Sequence, residues 1–91
     1  MKVTKHIIVQ GRVQGVGYRA TMIREARRLN VTGWVRNRPG GGVEAVVHGW
    51  PSDVAEILNW ARHGPVGAKV TSMEVSEASG TYDSFDQRPS G

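Results

Sequence analysis

The residues with chemical potential fall in two short segments. The first is Gly11-Arg12-Val13-Gln14-Gly15-Val16-Gly17-Tyr18-Arg19, between a β-branched run (Ile7-Ile8-Val9) and a stretch with helical spacing. Glycine lets the chain turn through positive φ, so that successive N–H groups converge on one point. The helix that follows adds its own unsatisfied N–H groups and the positive end of its dipole. Arg19 falls in the first turn of that helix, where a cation is mildly unfavourable and a bound anion would offset the cost. Spacing alone leaves two readings open: an ordinary glycine-rich connection with a surface arginine, or an anion cradle. It is not a Walker A loop, because no Gly-Lys-Ser/Thr follows, and it is not Gly-x-Gly-x-x-Gly. The second segment, Gly33-Trp34-Val35-Arg36-Asn37, closes another β run. Asparagine at a strand end is commonly a turn former, and spacing does not set that aside in favour of chemistry.

Other chemistries are excluded or weakened. The absence of cysteine removes a disulfide framework, a thiolate nucleophile and every cysteine-based metal site. His6, His48 and His63 lack metal-ligand spacing, so neither a metal nor a cofactor is expected. His6 and His48 lie in strand-like runs and read as satisfied or exposed. Arg62-His63-Gly64 spells the tripeptide of histidine phosphatases, but here it ends a helical stretch, where Arg and His suit the dipole and Gly caps.

The elements that must position these segments follow from periodicity. Residues 4–10 read as a strand buried on both faces. Residues 11–17 read as a loop, and 18–29 as a helix with Met22, Ile23, Ala26 and Leu29 on one face and a solvated Arg24, Arg27, Arg28 face; Asn30 stops it. Residues 32–38 and 43–48 form a hairpin across Pro39-Gly40-Gly41-Gly42. A second helix begins near Pro51, with Asp53 and Glu56 at capping-box spacing, buries Val54, Ile57, Leu58 and Ala61, and ends at Gly64-Pro65. Residues 69–76 form a fourth strand whose Val70, Met73 and Val75 break alternation, as at a bulge or an edge. Trp34, Trp50 and Trp60 are expected in the core or at its rim. The order β-α-β-β-α-β predicts an α+β, ferredoxin-like sandwich: an antiparallel four-stranded sheet with two helices on one face. Residues 79–91 are a polar C-terminal segment, expected to be partly ordered, in which Tyr82 and Phe85 are the available anchors; a short fifth strand there is left open.

Ninety-one residues suit a single domain, 1–91. Hydrophobic content of 38% and charged content of 22% are those of a folded chain. The apolar run near the N-terminus is only Ile7-Ile8-Val9, far short of the roughly 7–15 residues of a secretory signal or the roughly 20 of a spanning helix. A cytoplasmic location is the default. The net charge of +4 implies attraction for an anion, whether nucleic acid, membrane surface or small phosphate ester.

Taken together, the segments resemble the acylphosphatase family, whose pattern is a Gly-x-Val-Gln-Gly-Val-x-Phe/Tyr-Arg loop, then Gly-x-Val-x-Asn, then Asp-Gly-x-Val-Glu in the hairpin. Gly11 to Arg19 matches the first, Gly33 to Asn37 the second, and Gly41-Gly42-Val43-Glu44 the third, with Gly40 where the family usually has Asp. The resemblance runs from about residue 5 to residue 77. It weakens in the tail, where the family has a strand of alternating apolar residues and Phe85-Asp86-Gln87-Arg88 has one. It implies hydrolysis of the carboxyl–phosphate bond of acyl phosphates, without metal or cofactor. It assigns phosphate binding to the loop backbone at Gln14, Gly15, Val16, Gly17, Tyr18 and Arg19. It makes the Arg19 guanidinium the phosphate anchor, and Asn37 the residue that orients the attacking water. The implied partner is a small-molecule acyl phosphate, with inorganic phosphate as product and inhibitor, and with no nucleic acid or membrane; the chain is expected to be a monomer.

The competing reading is a non-enzymatic anion- or RNA-binding module on the same fold. RNA recognition by stacking needs aromatic residues on the central strands. The strands expected to be central offer Ile7, Ile8, Val9, Val43, Val46 and Val47 instead, which counts against it.

Overall fold

A computed structural model describes residues Met1–Gly91. The chain forms β1 (Val3–Arg12), α1 (Tyr18–Arg28), β2 (Thr32–Asn37), β3 (Val43–Gly49), α2 (Pro51–Ala61), β4 (Lys69–Glu77) and β5 (Phe85–Gln87). The strands lie in the order β4-β1-β3-β2-β5. Three pairings are antiparallel and β2–β5 is parallel, so the sheet is mixed and the fold is the expected ferredoxin-like sandwich with a fifth strand added.

Alternation along the strands decides which face is dry. Ile7 and Val9 on β1, Val35 on β2, and Val43, Ala45 and Val47 on β3 are fully buried against Met22 and Ala26 of α1 and Val54, Ile57 and Ala61 of α2. No helix covers the other face. Ile8 is therefore half-buried, and β1 is dry on one side instead of two. That open face instead carries paired polar groups. Glu44 accepts from Arg36 at 2.7 Å and lies 2.6 Å from the His6 ring, and His48 is bonded to Thr4 at 2.6 Å.

Several boundaries differ from the sequence expectation. β1 continues through Gly11 and Arg12, because β4 pairs with both. Gln10 faces Ser72 and Gly11 faces Val70, so Thr71 is the extra residue of a bulge, on a strand that is also an edge. The α2 N-cap is Trp50, with Pro51 at N1 and no side-chain cap; Asp53 lies in the first turn, where it favours the dipole but forms no capping box. Trp50 is 52% exposed, outside the core, with the Lys2 ammonium 5.6 Å from its ring centroid. The polar tail is held by one residue. Phe85 is 1% exposed, and burying such a side chain stabilises by about 1.5–3 kcal/mol. Backbone bonds from Gly33 N to Ser84 O and from Arg88 N to Val35 O, both 2.9 Å, complete the attachment. No helix is long and apolar enough to cross a membrane.

Candidate active site

β1 and β2 run in the same direction on either side of β3, so their C-terminal ends lie at one end of the sheet. Val9, Val43 and Asn37 form a single row across the three strands. Asn37 is two residues beyond Val35 and so faces the helix side, at the end where the chain leaves β1 for α1.

The connection between β1 and α1 turns on Gly15 (φ 75°) and Gly17 (φ 79°). A Cβ added at either would meet no atom, so the requirement for glycine is the left-handed backbone itself. Gly17 is the N-cap of α1, without a side-chain cap, and the first helical bond runs from Thr21 N to Gly17 O at 3.0 Å. None of the N–H groups of residues 14–20 donates a well-formed hydrogen bond to the chain. Of these residues, Gly15, Gly17, Tyr18, Arg19 and Ala20 border a concavity of about 120 Å³ that Val13 and Gln87 also line, whereas Gln14 and Val16 do not. No carboxylate lines it. Arg19 is half-buried and has no ion pair. Free N–H groups, a helix N-terminus and an unpaired guanidinium thus share one small volume, an arrangement suited to a tetrahedral anion.

The loop side chains point elsewhere. Tyr18 is buried, packs with its ring tilted 44° and 5.1 Å from that of Trp60, and donates its hydroxyl to Ala61 O at 2.6 Å. Burial holds its phenol well above the usual range, so it stays neutral and serves as a peg for the first turn of α1. Val16 packs on the core. Gln14 sends its amide away from the concavity: Nε2 donates to Arg38 O at 3.1 Å and to Gly42 O at 2.8 Å. It therefore ties the loop to the β2–β3 turn that follows Asn37. The Asn37 Oδ1 is the one buried side-chain oxygen or nitrogen in the protein with no hydrogen-bond partner.

Some residues singled out in the sequence stay apart from the site. His63 is exposed at the end of α2, with Nδ1 3.1 Å from Asn59 O, and Gly64 adopts a positive φ there, as a helix end requires. No three His, Asp or Glu side chains converge as metal ligands would. A second concavity, of about 270 Å³, lies between the C-terminal end of α1 and the segment before β5, lined by Arg27, Asn30, Val31, Thr32, Asp83, Ser84 and Phe85. Gln87, in contrast, lines the anion-sized site and was not foreseen. A glutamine in a polar tail carries no local signal, and only the parallel pairing of β5 brings it there.

A βαββαβ frame with a glycine-turned concavity at the first strand–helix junction places the protein among small ferredoxin-like sandwiches. Residues 5–87 match the acylphosphatase family model, and the chain belongs to the acylphosphatase family. The match continues through β5, ten residues beyond the resemblance legible in the sequence motifs. The chain is 52% identical over 85 residues to an acylphosphatase of Thiobacillus denitrificans, covering 93% of this chain and 96% of that one. It is 54% identical over 74 residues to an acylphosphatase of Thermococcus kodakarensis, covering 81% of each. The solved structure of an acylphosphatase from Coxiella burnetii superposes with a TM-score of 0.92 at 33% identity, over 96% of this chain and 93% of that one.

Proposed function

We propose that the protein hydrolyses the carboxyl–phosphate bond of acyl phosphates, with water attacking phosphorus and no covalent intermediate. The new bond joins the water oxygen to phosphorus. The bond that breaks joins phosphorus to the acyl oxygen, which leaves as a carboxylate, and a water proton passes to a phosphate oxygen. The loop N–H groups at Gln14, Gly15, Val16, Gly17, Tyr18 and Arg19, with the Arg19 guanidinium, hold the phosphoryl oxygens and stabilise the charge that develops on them. A planar guanidinium can meet two of those oxygens with parallel bonds.

The observation that carries this reading is the orphaned Asn37 Oδ1. A buried acceptor without a partner costs about 1–3 kcal/mol, so the site favours a water donating to it. A water that donates one proton there keeps a lone pair for phosphorus. Asparagine cannot take the proton, and no His, Asp or Glu lines the concavity. The chemistry still closes, because a carboxylate leaves without needing a general acid. A phosphomonoester would need one, which is why an activated acyl phosphate fits better. Family membership favours hydrolysis over a non-enzymatic anion- or RNA-binding module. We take residues 1–91 to act as one domain, a cytoplasmic monomer without metal or cofactor, acting on a small molecule with phosphate as product and inhibitor. The single core cluster supports the one-domain part of this.

The test is Asn37→Ala with a chromogenic acyl phosphate. We expect kcat to fall roughly 10²–10³-fold, as for loss of one transition-state hydrogen bond, while the inhibition constant for phosphate holds. Equal weakening of phosphate binding would place Asn37 in the anion cradle and refute its role with water.

A further inference from the structure

We infer that Gln87 contacts the substrate, its side-chain amide donating to the phosphoryl group from the β5 side of the site. The inference rests on the proposed reading of that site as a phosphoryl pocket. β5 pairs with β2 in parallel, Gly33 opposite Phe85 and Val35 opposite Gln87. Phe85 points into the core, so alternation turns Gln87 to the same, helix-facing side. Val35 and Asn37 share that side on β2, which makes Gln87 and Asn37 diagonal neighbours across the parallel pair.

Core packing would call for an apolar residue at this inward position, but the core ends one step earlier. Gln87 is exposed, makes no side-chain hydrogen bond to the protein, and lines the concavity with Gly15, Gly17, Arg19 and Ala20. The next residue, Arg88, is turned away, with its guanidinium 4.7 Å from the Trp34 ring centroid. The loop N–H groups and Arg19 approach an anion from the β1–α1 side, and Gln87 is the lining residue that approaches from β5. The concavity, about 120 Å³, has room for an anion larger than a single water. An anion seated there lies between the loop and β5. The free Nε2 then supplies a neutral donor at no change in charge, and the acyl group lies outside.

The experiment uses the full chain as wild type, Gln87→Leu and Gln87→Glu. It measures the Kd for inorganic phosphate by calorimetry, KM and kcat for an acyl phosphate, and a thermal melt. Losing one neutral hydrogen bond should raise both Kd and KM roughly three- to tenfold in Gln87→Leu, with kcat within about twofold and the melt unchanged. Gln87→Glu should weaken phosphate further, because its carboxylate repels the anion. Phosphate Kd within about twofold of wild type in both variants would overturn the assignment, as would a change confined to the melt. Because phosphate binding is read without turnover, a wild type that binds phosphate but hydrolyses nothing would refute the proposed reaction and still leave Gln87 to be decided by its Kd.

Discussion

Replacing Arg19 by lysine separates charge from geometry at the centre of the cradle. The residue is second in α1, half-buried, without an ion pair, and shares the concavity with Val13, Gly15, Gly17, Tyr18, Ala20 and Gln87. Lysine keeps the cation and its attraction for the substrate. It loses the planar fork, so one of two charge-assisted hydrogen bonds to phosphoryl oxygens goes unmade. Such a bond is worth about 1.5–3 kcal/mol, roughly 10- to 150-fold in kcat/KM. A shift of the phosphoryl group by about 1 Å relative to the water on Asn37 adds on the order of 10² more. Arg19→Lys is therefore expected to lie nearly as low as Arg19→Ala. Stability should hardly change, because no hydrogen bond or ion pair within the protein is lost, and removing a cation from the first helical turn in the alanine variant gains about 0.3–1 kcal/mol. The assay is kcat/KM for an acyl phosphate beside a thermal melt of all three proteins. A lysine variant within about tenfold of wild type, a loss of about 1.4 kcal/mol, would mean that charge alone suffices, and the two-bond anchor would be wrong.

Other expectations follow from contacts outside the cradle. Gln14→Leu cuts the tether from the loop to Arg38 O and Gly42 O, so kcat should drop roughly 10- to 100-fold through misalignment of water and phosphorus while phosphate inhibition changes little; a lower melting point with normal kcat would refute that positioning role. Tyr18→Phe removes the bond to Ala61 O and should cost about 1 kcal/mol, lowering Tm by roughly 4–8 °C, with turnover intact because only the backbone of Tyr18 faces the site. At Glu44, burial acts to raise the carboxyl pKa, but hydrogen bonds with His6 and Arg36 outweigh it and hold the group below its ordinary value of 4.5. Its stabilisation is thus complete above that value and is lost as pH falls through the lower folded-state value, so the Tm gap between wild type and Glu44→Gln should close on acidification, which melts across the acid range will check.

Why some features were legible in the sequence and others were not comes down to range. Helix and strand identity rests on local periodicity, and α1, α2 and the four longer strands lie within a few residues of where the spacing puts them. The bulge in β4 was legible too, since an unpaired Thr71 is what broken alternation means. The misses need a partner strand. Gly11 and Arg12 look like loop until β4 is placed beside them, and Phe85-Asp86-Gln87 has too little alternation to declare a strand until β2 offers an edge. Trp50 looks like core or rim by type, yet it stands just before α2, 52% exposed, with the Lys2 ammonium beside its ring.

The loop shows the same divide within single residues. Spacing of the glycines speaks for the backbone, and Gly15 and Gly17 do take the positive φ that it calls for. It does not say where the side chains go. Gln14 and Tyr18 each leave a backbone N–H without a partner in the chain and tie down their side chains, one to the β2–β3 turn and one to the end of α2. A loop held at both ends in this way would lose little freedom on binding the anion proposed for it. That division also explains why the motif needs particular side chains at positions whose contribution to binding is backbone. Glycine sets the turn, while glutamine and tyrosine keep it from relaxing, and only Arg19 among the loop side chains is left free to reach the phosphoryl group.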